Sequence, residues 1–168
     1  MKEFLVKIVA LLEIVGGAIG SMMIFASTIF NLHKVWGTPQ LDSPILRLKL
    51  LIAVIFVVLF VFVVRAGILL YRDDRRGYIL SVVFQVLQVP FVATKYFIYN
   101  FVVAFQLQLG FVLDKGQYQF YHVEALGSNY MLWFATPVEL AVSVNIVAVT
   151  ALIILVGAMH NTKNKNIS

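Results

Sequence analysis

The sequence predicts an all-α membrane protein with four transmembrane helices. Of its 168 residues, 61% are hydrophobic and only 12% are charged, which is more apolar surface than a soluble domain of this length can bury. The chain also contains long apolar runs with few charges, each near the roughly 20 residues that a helix needs to cross a bilayer. These runs predict helices over residues 4–30, 45–70, 78–100 and 137–159 of one integral-membrane domain, 1–168.

Basic residues near the ends of these runs predict the orientation of the helices, because short cytoplasmic loops are richer in Lys and Arg than external ones. With both termini inside, the larger basic set is cytoplasmic: Lys2, Lys7, Arg72, Arg75, Arg76, Lys163 and Lys165. The smaller set then lies outside: Lys34, Arg47, Lys49 and Lys115. We therefore expect both termini to be cytoplasmic.

The segment of about 103–135, between the third and fourth runs, departs from a helical pattern. "FQLQLGFVLD" (105–114) alternates polar and apolar residues, "DKG" is turn chemistry, and "QYQFYHVEAL" (117–126) resumes an aromatic-rich strand pattern. This pattern predicts a β-hairpin on the outer face, or a three-stranded sheet if "NYMLWFA" (129–135) adds a strand before Pro137 opens the last helix.

Aromatic side chains in the outer segments predict a surface with one of two roles. It either anchors the protein at the level of the lipid headgroups or docks a partner protein. This outer aromatic surface contains Trp36, Tyr118, Phe120, Tyr121, Tyr130 and Trp133. Lys95 and Glu139, near the same side of the membrane, are expected either to pair or to extend to the interface.

Glu13 places a carboxylate inside an apolar run, "LLEIVGGAIG". By helical rise it lies about 14 Å from Phe4, close in depth to Arg65 and to Gln85 and Gln88. An ion in lipid costs about 3 kcal/mol or more, so these four side chains are expected to meet inside the bundle. Three interpretations stay open for Glu13: an ion pair with Arg65, a protonatable relay or ion-binding group, and a contact with another subunit.

Small residues and one proline predict how the helices pack. Gly16, Gly17 and Gly20 share a helix face with Glu13, which lets another helix approach closely. Pro90 lies inside the third run, where it predicts a kink.

Sequence motifs for catalysis are absent. The histidines His33, His122 and His160 are not placed to hold a haem, and no zinc-protease, nucleophile-elbow, P-loop or dinucleotide motif occurs. With no cysteine, iron–sulfur clusters and thiol chemistry are also excluded. We therefore expect no enzyme, no cofactor and no metal site.

Two segments, "LSVVFQVLQVP" (80–90) and "SVNIVAVTALIIL" (143–155), resemble uncharacterised small four-helix bacterial inner-membrane proteins. The resemblance implies a multi-pass protein of the bacterial cytoplasmic (inner) membrane, with the paired glutamines as a typical feature. It carries over no catalytic residue.

Two functions fit these predictions. The first is a non-enzymatic subunit or accessory protein of a larger inner-membrane assembly, to which the small size and the aromatic outer surface are suited. The alternative is a small homo-oligomeric transporter or channel that uses Glu13, Arg65, Gln85 and Gln88. The expected partners are the lipid bilayer and either other membrane-protein subunits or further copies of this chain, without nucleic acid.

Overall fold

The computed structural model describes residues 2–37, 43–134 and 139–165. Within these ranges the helices are α1 (Lys2–Val35), α2 (Pro44–Tyr71), α3 (Arg75–Gln88) and α4 (Ile146–Lys165). The strands are β1 (Pro90–Thr94), β2 (Phe97–Val102), β3 (Phe105–Asp114), β4 (Gln117–Leu126), β5 (Asn129–Phe134) and β6 (Leu140–Asn145). All six strands lie between α3 and α4 in the chain.

The strands form one antiparallel sheet in the order β4-β3-β6-β1-β2-β5. Its central pair continues the two shorter helices, because α3 runs into β1 and β6 runs into α4. At the junction the backbone N–H of Asn145 donates to the carbonyl of Val89 over 2.8 Å. The two helix-to-strand segments therefore run side by side as one antiparallel unit.

The predicted third helix, 78–100, is wrong beyond Gln88. α3 ends there, and Pro90 opens strand β1 instead of kinking a longer helix. Proline lacks a backbone N–H and disfavours the helical conformation of the residue before it. The following run "FVATKYFIYNFVV" is rich in β-branched and aromatic residues, which fit a strand pair.

The predicted fourth helix, 137–159, is wrong at its start. Residues 135–138 lie outside the described ranges, and Leu140–Asn145 is a strand in which exposed and buried residues alternate. The helix begins only at Ile146, where the side-chain oxygen of Asn145 accepts a bond from the backbone N–H of Val147 over 3.1 Å. This is the hydrogen bond of a helix N-cap.

The predicted all-α class with four transmembrane helices is therefore wrong. Among the described residues, two helices are long and apolar enough to cross a membrane, Glu3–Lys34 in α1 and Pro44–Tyr71 in α2. At about 1.5 Å per residue, the 14 residues of α3 extend only about 21 Å, and the apolar part of α4 is equally short. The described residues combine two long helices, two shorter helices and a six-stranded sheet.

The predicted β-hairpin is confirmed with the bounds that the sequence indicated. β3 and β4 pair from Phe105–Leu126 to Asp114–Gln117, and Lys115 and Gly116 form the turn with positive φ values of 49° and 76°. The predicted third strand also forms, as β5, but it pairs with β2 instead of extending the hairpin. β3 pairs on its other side with β6.

The sheet is curled, with polar side chains on its inner face. The side-chain amide of Gln108 on β3 donates to the side-chain oxygen of Asn100 on β2 over 3.0 Å, although β6 and β1 separate these strands. In a flat sheet the two strands would lie about 14 Å apart. On the outer face, the side chains that alternate with the polar ones are apolar and exposed: Leu109, Phe111, Leu140, Val142 and Val144.

Two apolar clusters join the helices to each other and to the sheet. In the first, the Phe101 ring of β2 packs against Phe56 and Phe60 of α2, with ring centroids 5.9 and 5.2 Å apart. The second joins α1, α2, α3 and α4 at the opposite end of the bundle, around Leu70 and Leu155. The level between these clusters contains the buried carboxylate described next.

Candidate functional site

Glu13 is buried between α1 and α3, with 1% of its surface exposed. One carboxylate oxygen accepts a hydrogen bond from the Ser81 hydroxyl over 2.6 Å, and the other accepts one from the Gln85 side-chain amide over 3.0 Å. Ser81 and Gln85 are four residues apart on α3, so they lie on one face of the helix. We call Glu13, Ser81 and Gln85 the carboxylate cluster.

The predicted ion pair between Glu13 and Arg65 does not form. Arg65 is exposed, whereas a Cβ on Gly67 of α2 would lie 3.0 Å from the Cβ of Glu13. Two residues along a helix rotate the side chain by about 200°, so Arg65 points away from the face that Gly67 presents to Glu13. The predicted depth was close to correct, but the predicted helix face was wrong.

Glu13 therefore has neutral hydrogen-bond donors in place of a counter-charge. Within the described ranges, no basic side chain forms an ion pair or hydrogen bond with its carboxylate. Ser81 can donate to the carboxylate or turn its hydroxyl to accept from a carboxylic acid. The carboxylate cluster can thus hold Glu13 in both protonation states without a change in the backbone.

A small cavity borders the carboxylate cluster where α1, α3 and α4 meet the sheet. Its volume of about 20 Å³ is enough for one water molecule. The residues that line it are Val9, Leu12, Glu13, Gln85, Gln88, Val103, Phe105, Val147, Ala148 and Ala151. Apart from Glu13 and the two glutamines, the side chains of this lining are apolar.

Gln88 lines the same cavity but does not bond to Glu13. Its side-chain oxygen accepts from the backbone N–H of Val103 over 2.9 Å, and its amide donates to the Phe84 carbonyl over 3.3 Å. Of the four residues that the sequence grouped, the structure joins Glu13 to Gln85, places Gln88 beside them and separates Arg65. Ser81 is the member that sequence reasoning missed; its spacing of four from Gln85 was the available signal.

The three glycines that follow Glu13 contact two different parts of the fold. A Cβ on Gly17 would lie 2.9 Å from the carbonyl oxygen of Phe60, and one on Gly20 would lie 2.5 Å from the Phe60 ring. Both glycines therefore allow α2 to pack closely against α1. Gly16 instead faces the turn between β2 and β3, where a Cβ would lie 2.6 Å from the backbone nitrogen of Ala104. Only two of the three therefore serve helix–helix packing.

A second set of buried polar side chains lies on the inner face of the curled sheet. The Gln108 amide also donates to the Gln106 side-chain oxygen over 3.3 Å, and the Ser143 hydroxyl donates to the Gln108 side-chain oxygen over 3.3 Å. We call Asn100, Gln106, Gln108 and Ser143 the amide cluster. The sequence contains a signal for it, since the polar residues of "FQLQLG" and "AVSVN" alternate with apolar ones.

The residues of the predicted outer pair lie at one end of the β1–β6 strand pair. Thr94 pairs with Leu140, so Lys95 and Glu139 flank the same pair of residues. Both are exposed, and no ion pair links them in the part of the chain that the structure describes.

The predicted outer aromatic surface is dispersed. Trp36, Tyr118 and Phe120 are exposed, whereas Tyr121 is half-buried and its hydroxyl has no hydrogen-bond partner among the described residues. Tyr130 and Trp133 lie in β5, and their side chains are outside the described part of the structure.

The turn between α2 and α3 carries a local polar arrangement of its own. Asp74 caps α3 by accepting from the backbone N–H of Arg76 over 2.8 Å, and the Tyr78 hydroxyl donates to the Asp73 carboxylate over 2.7 Å. Burial, reinforced by the neighbouring Asp73 carboxylate, raises the pKa of Tyr78 to about 12. Because each carboxylate has a local structural partner, we assign this turn no binding role.

Comparison with known proteins assigns these residues no role. No model of a protein family matches it, and no curated protein or solved structure matches it either. The resemblance to small inner-membrane proteins therefore stays a prediction. In the described part of the chain, no group of three or more His, Cys, Asp or Glu residues is placed to hold a metal ion.

Proposed function

We propose that the protein is a small integral membrane transporter or channel in which Glu13 reversibly binds a proton or a small cation. The observation that carries the proposal is the carboxylate cluster: an ionisable group, buried in an apolar helix, whose partners are the neutral donors Ser81 and Gln85. Ionisable groups inside a membrane are costly and commonly serve ion or proton pathways. A stabilising counter-charge would have favoured a purely structural role.

The apolar surfaces of the two long helices support membrane insertion. Only 39% of the most apolar window of α1 and 33% of that of α2 are buried inside the protein. A core helix of a soluble protein would be mostly buried, so these exposed apolar surfaces favour a location in lipid. We propose that α1 and α2 both cross the bilayer, in a bacterial cytoplasmic membrane as the sequence resemblance implies.

The positions of the basic residues favour one orientation. The Lys7 ammonium lies 5.7 Å from the centre of the Tyr71 ring, so this part of α1 and the end of α2 share one level. Arg72, Arg75 and Arg76 follow at the same end. We propose that this end is cytoplasmic, by the bias of basic residues toward short inner loops.

Transport by Glu13 is tested with the purified protein in lipid vesicles. Under an imposed pH or cation gradient, wild type should give a flux, and Glu13→Gln should reduce it to the level of empty vesicles. Glu3→Gln makes the same change at an exposed position of the same helix and should leave the flux unchanged. Equal flux from wild type and Glu13→Gln would overturn the proposal.

Chemical modification distinguishes a proton from a cation at the same carboxyl group. Dicyclohexylcarbodiimide is apolar and attacks protonated carboxyl groups, so it should label Glu13 in wild type and leave Glu13→Gln unlabelled. Protection at constant pH by one cation would assign that cation as the ligand, whereas protection by raised pH alone would assign the proton. A Glu13 that resists labelling at every pH from acidic to neutral would contradict reversible binding.

A second candidate function is a non-enzymatic subunit or accessory protein of an inner-membrane assembly. The observation that favours it is the sheet, whose edge strands β4 and β5 each pair on one side only among the described residues. Extraction in mild detergent followed by mass spectrometry tests this function. A stoichiometric set of other proteins would support it, and a particle that contains only this chain would exclude it.

A further inference from the structure

Strand β4 is a long edge of the described sheet. It spans ten residues, Gln117–Leu126, pairs with β3 along its full length and has no second neighbour in the described sheet. Exposed edges are commonly blocked by Lys or Pro within the strand. The segment "QYQFYHVEAL" contains neither residue.

The outward face of β4 is self-complementary about Val123. Along the strand, this face presents Phe120, His122, Glu124 and Leu126, all of them exposed. In an antiparallel pair of identical strands centred on Val123, His122 meets Glu124 of the other strand, and Phe120 meets Leu126. Each cross-strand contact then joins either an imidazole to a carboxylate or two apolar side chains.

We propose that β4 pairs with β4 of a second copy of this chain, antiparallel and centred on Val123. The two sheets become one continuous sheet across a twofold axis, and the His122–Glu124 contact occurs twice. An imidazole N–H can donate to the carboxylate whether or not the ring is charged. The site of pairing is distinct from the carboxylate cluster.

The position of β4 along α1 explains why a second copy of the chain satisfies its edge better than lipid does. The backbone N–H of Gly127, directly after β4, donates to the Ala104 carbonyl over 2.7 Å, and the Ser128 hydroxyl donates to the Gly16 carbonyl. Gly16 lies nine residues beyond Lys7, or about 14 Å along α1. The base of β4 is therefore near the middle of a bilayer that α1 and α2 cross.

At that level, lipid cannot satisfy the edge of a sheet. Backbone N–H and C=O groups without partners are avoided in hydrocarbon, and so is an exposed carboxylate such as Glu124. Pairing with an identical strand supplies partners to the backbone groups of the edge and to the Glu124 carboxylate. This step rests on the membrane location given under Proposed function, whereas the complementarity of β4 is independent of it.

Cysteine crosslinking in native membranes tests the pairing, because the chain has no cysteine of its own. Val123→Cys places two thiols opposite each other on the twofold axis, where facing Cβ atoms are about 5 Å apart. Oxidation, or a short bismaleimide where the disulfide geometry is poor, should convert most of the protein molecules to a covalent dimer. Tyr118→Cys is the matched control, since its two thiols would lie about 34 Å apart.

Charge substitutions test the register of the same pair. His122→Glu alone places carboxylates opposite each other, so the yield of the Val123→Cys dimer should fall about tenfold. Adding Glu124→His restores opposite partners and should restore the yield. An equal yield for Tyr118→Cys and Val123→Cys, no dimer with Val123→Cys, or a crosslink to a different protein would overturn the proposal.

The dimer and the transport function can fail independently of each other. Glu13→Gln is expected to keep the Val123→Cys crosslink while it abolishes flux. A crosslinked dimer without Glu13-dependent flux would retain the pairing and remove the transporter. Glu13-dependent flux without a β4 crosslink would retain the transporter and remove the pairing.

Discussion

The two buried polar clusters of this protein differ in what satisfies them. The amide cluster lies inside the curled sheet, and its neutral groups bond mainly to one another, with Gln108 at the centre. The carboxylate cluster lies between two helices, and its central group, Glu13, is ionisable. Burial therefore has different consequences in the two clusters. The amide cluster links the side chains of separate strands across a curled sheet, whereas the carboxylate cluster contains a group that can change its charge.

The largest loss of stability is expected from Gln108→Leu. Leucine leaves Asn100, Gln106 and Ser143 without the partner that joins them, and each buried unsatisfied group costs about 1–3 kcal/mol. We expect the free energy of unfolding to fall by about 2–4 kcal/mol. The thermal transition of the protein in detergent measures this loss. Gln119→Leu, at an exposed position of β4, should change stability far less. Equal effects would mean that the amide cluster contributes nothing specific.

Gln85→Leu should have an intermediate effect on stability and also reduce transport. It removes the donor to one oxygen of Glu13, and a hydrogen bond to a charged group contributes about 1.5–3 kcal/mol.

Glu13→Gln is the contrasting change, because its amide can donate to Ser81 while its oxygen still accepts from Gln85. It should shift stability by less than about 1 kcal/mol. Severe destabilisation by Glu13→Gln would indicate a structural carboxylate.

A smaller loss of stability than those of Gln108→Leu and Gln85→Leu is expected from Tyr78→Phe, at the turn outside both clusters. The hydrogen bond to Asp73 contributes about 1 kcal/mol at neutral pH. Because the pKa of Tyr78 is raised to about 12 in the folded protein, from about 10 in an unfolded chain, this contribution is complete below pH 10. It is lost as the pH rises toward 12. Thermal transitions of wild type and Tyr78→Phe should therefore converge over that interval, whereas the exposed Tyr71→Phe should show no such convergence.

The hairpin was predictable because its signals are local. Alternation with period two, followed by "DKG", places β3 and β4 within the residues that the structure assigns to them. The end of α3 was also encoded locally, by Pro90. The pattern nevertheless predicts a kink, because the apolar run continues past Pro90 and apolar content alone does not distinguish a membrane helix from a buried strand.

The carboxylate cluster was predictable in part. Helical rise gave the depths of Glu13 and Gln85 correctly, since rise depends only on residue number. Rise does not give the rotation of one helix against another, and so Arg65 was assigned to Glu13 in place of the Ser81 hydroxyl. The close contact at Gly67 sets that rotation, and it became evident only from the packed helices.

By itself, the sequence determined the apolar character of α1 and α2, the hairpin and the presence of a carboxylate in an apolar helix. These follow from composition and short-range periodicity, which act within a few residues. The tertiary structure alone decided that β6 pairs with the hairpin, that the sheet curls around the amide cluster, and that Glu13 bonds to Ser81 and Gln85 instead of Arg65. Those outcomes depend on pairing between distant segments and on helix rotation, which packing fixes and residue spacing does not.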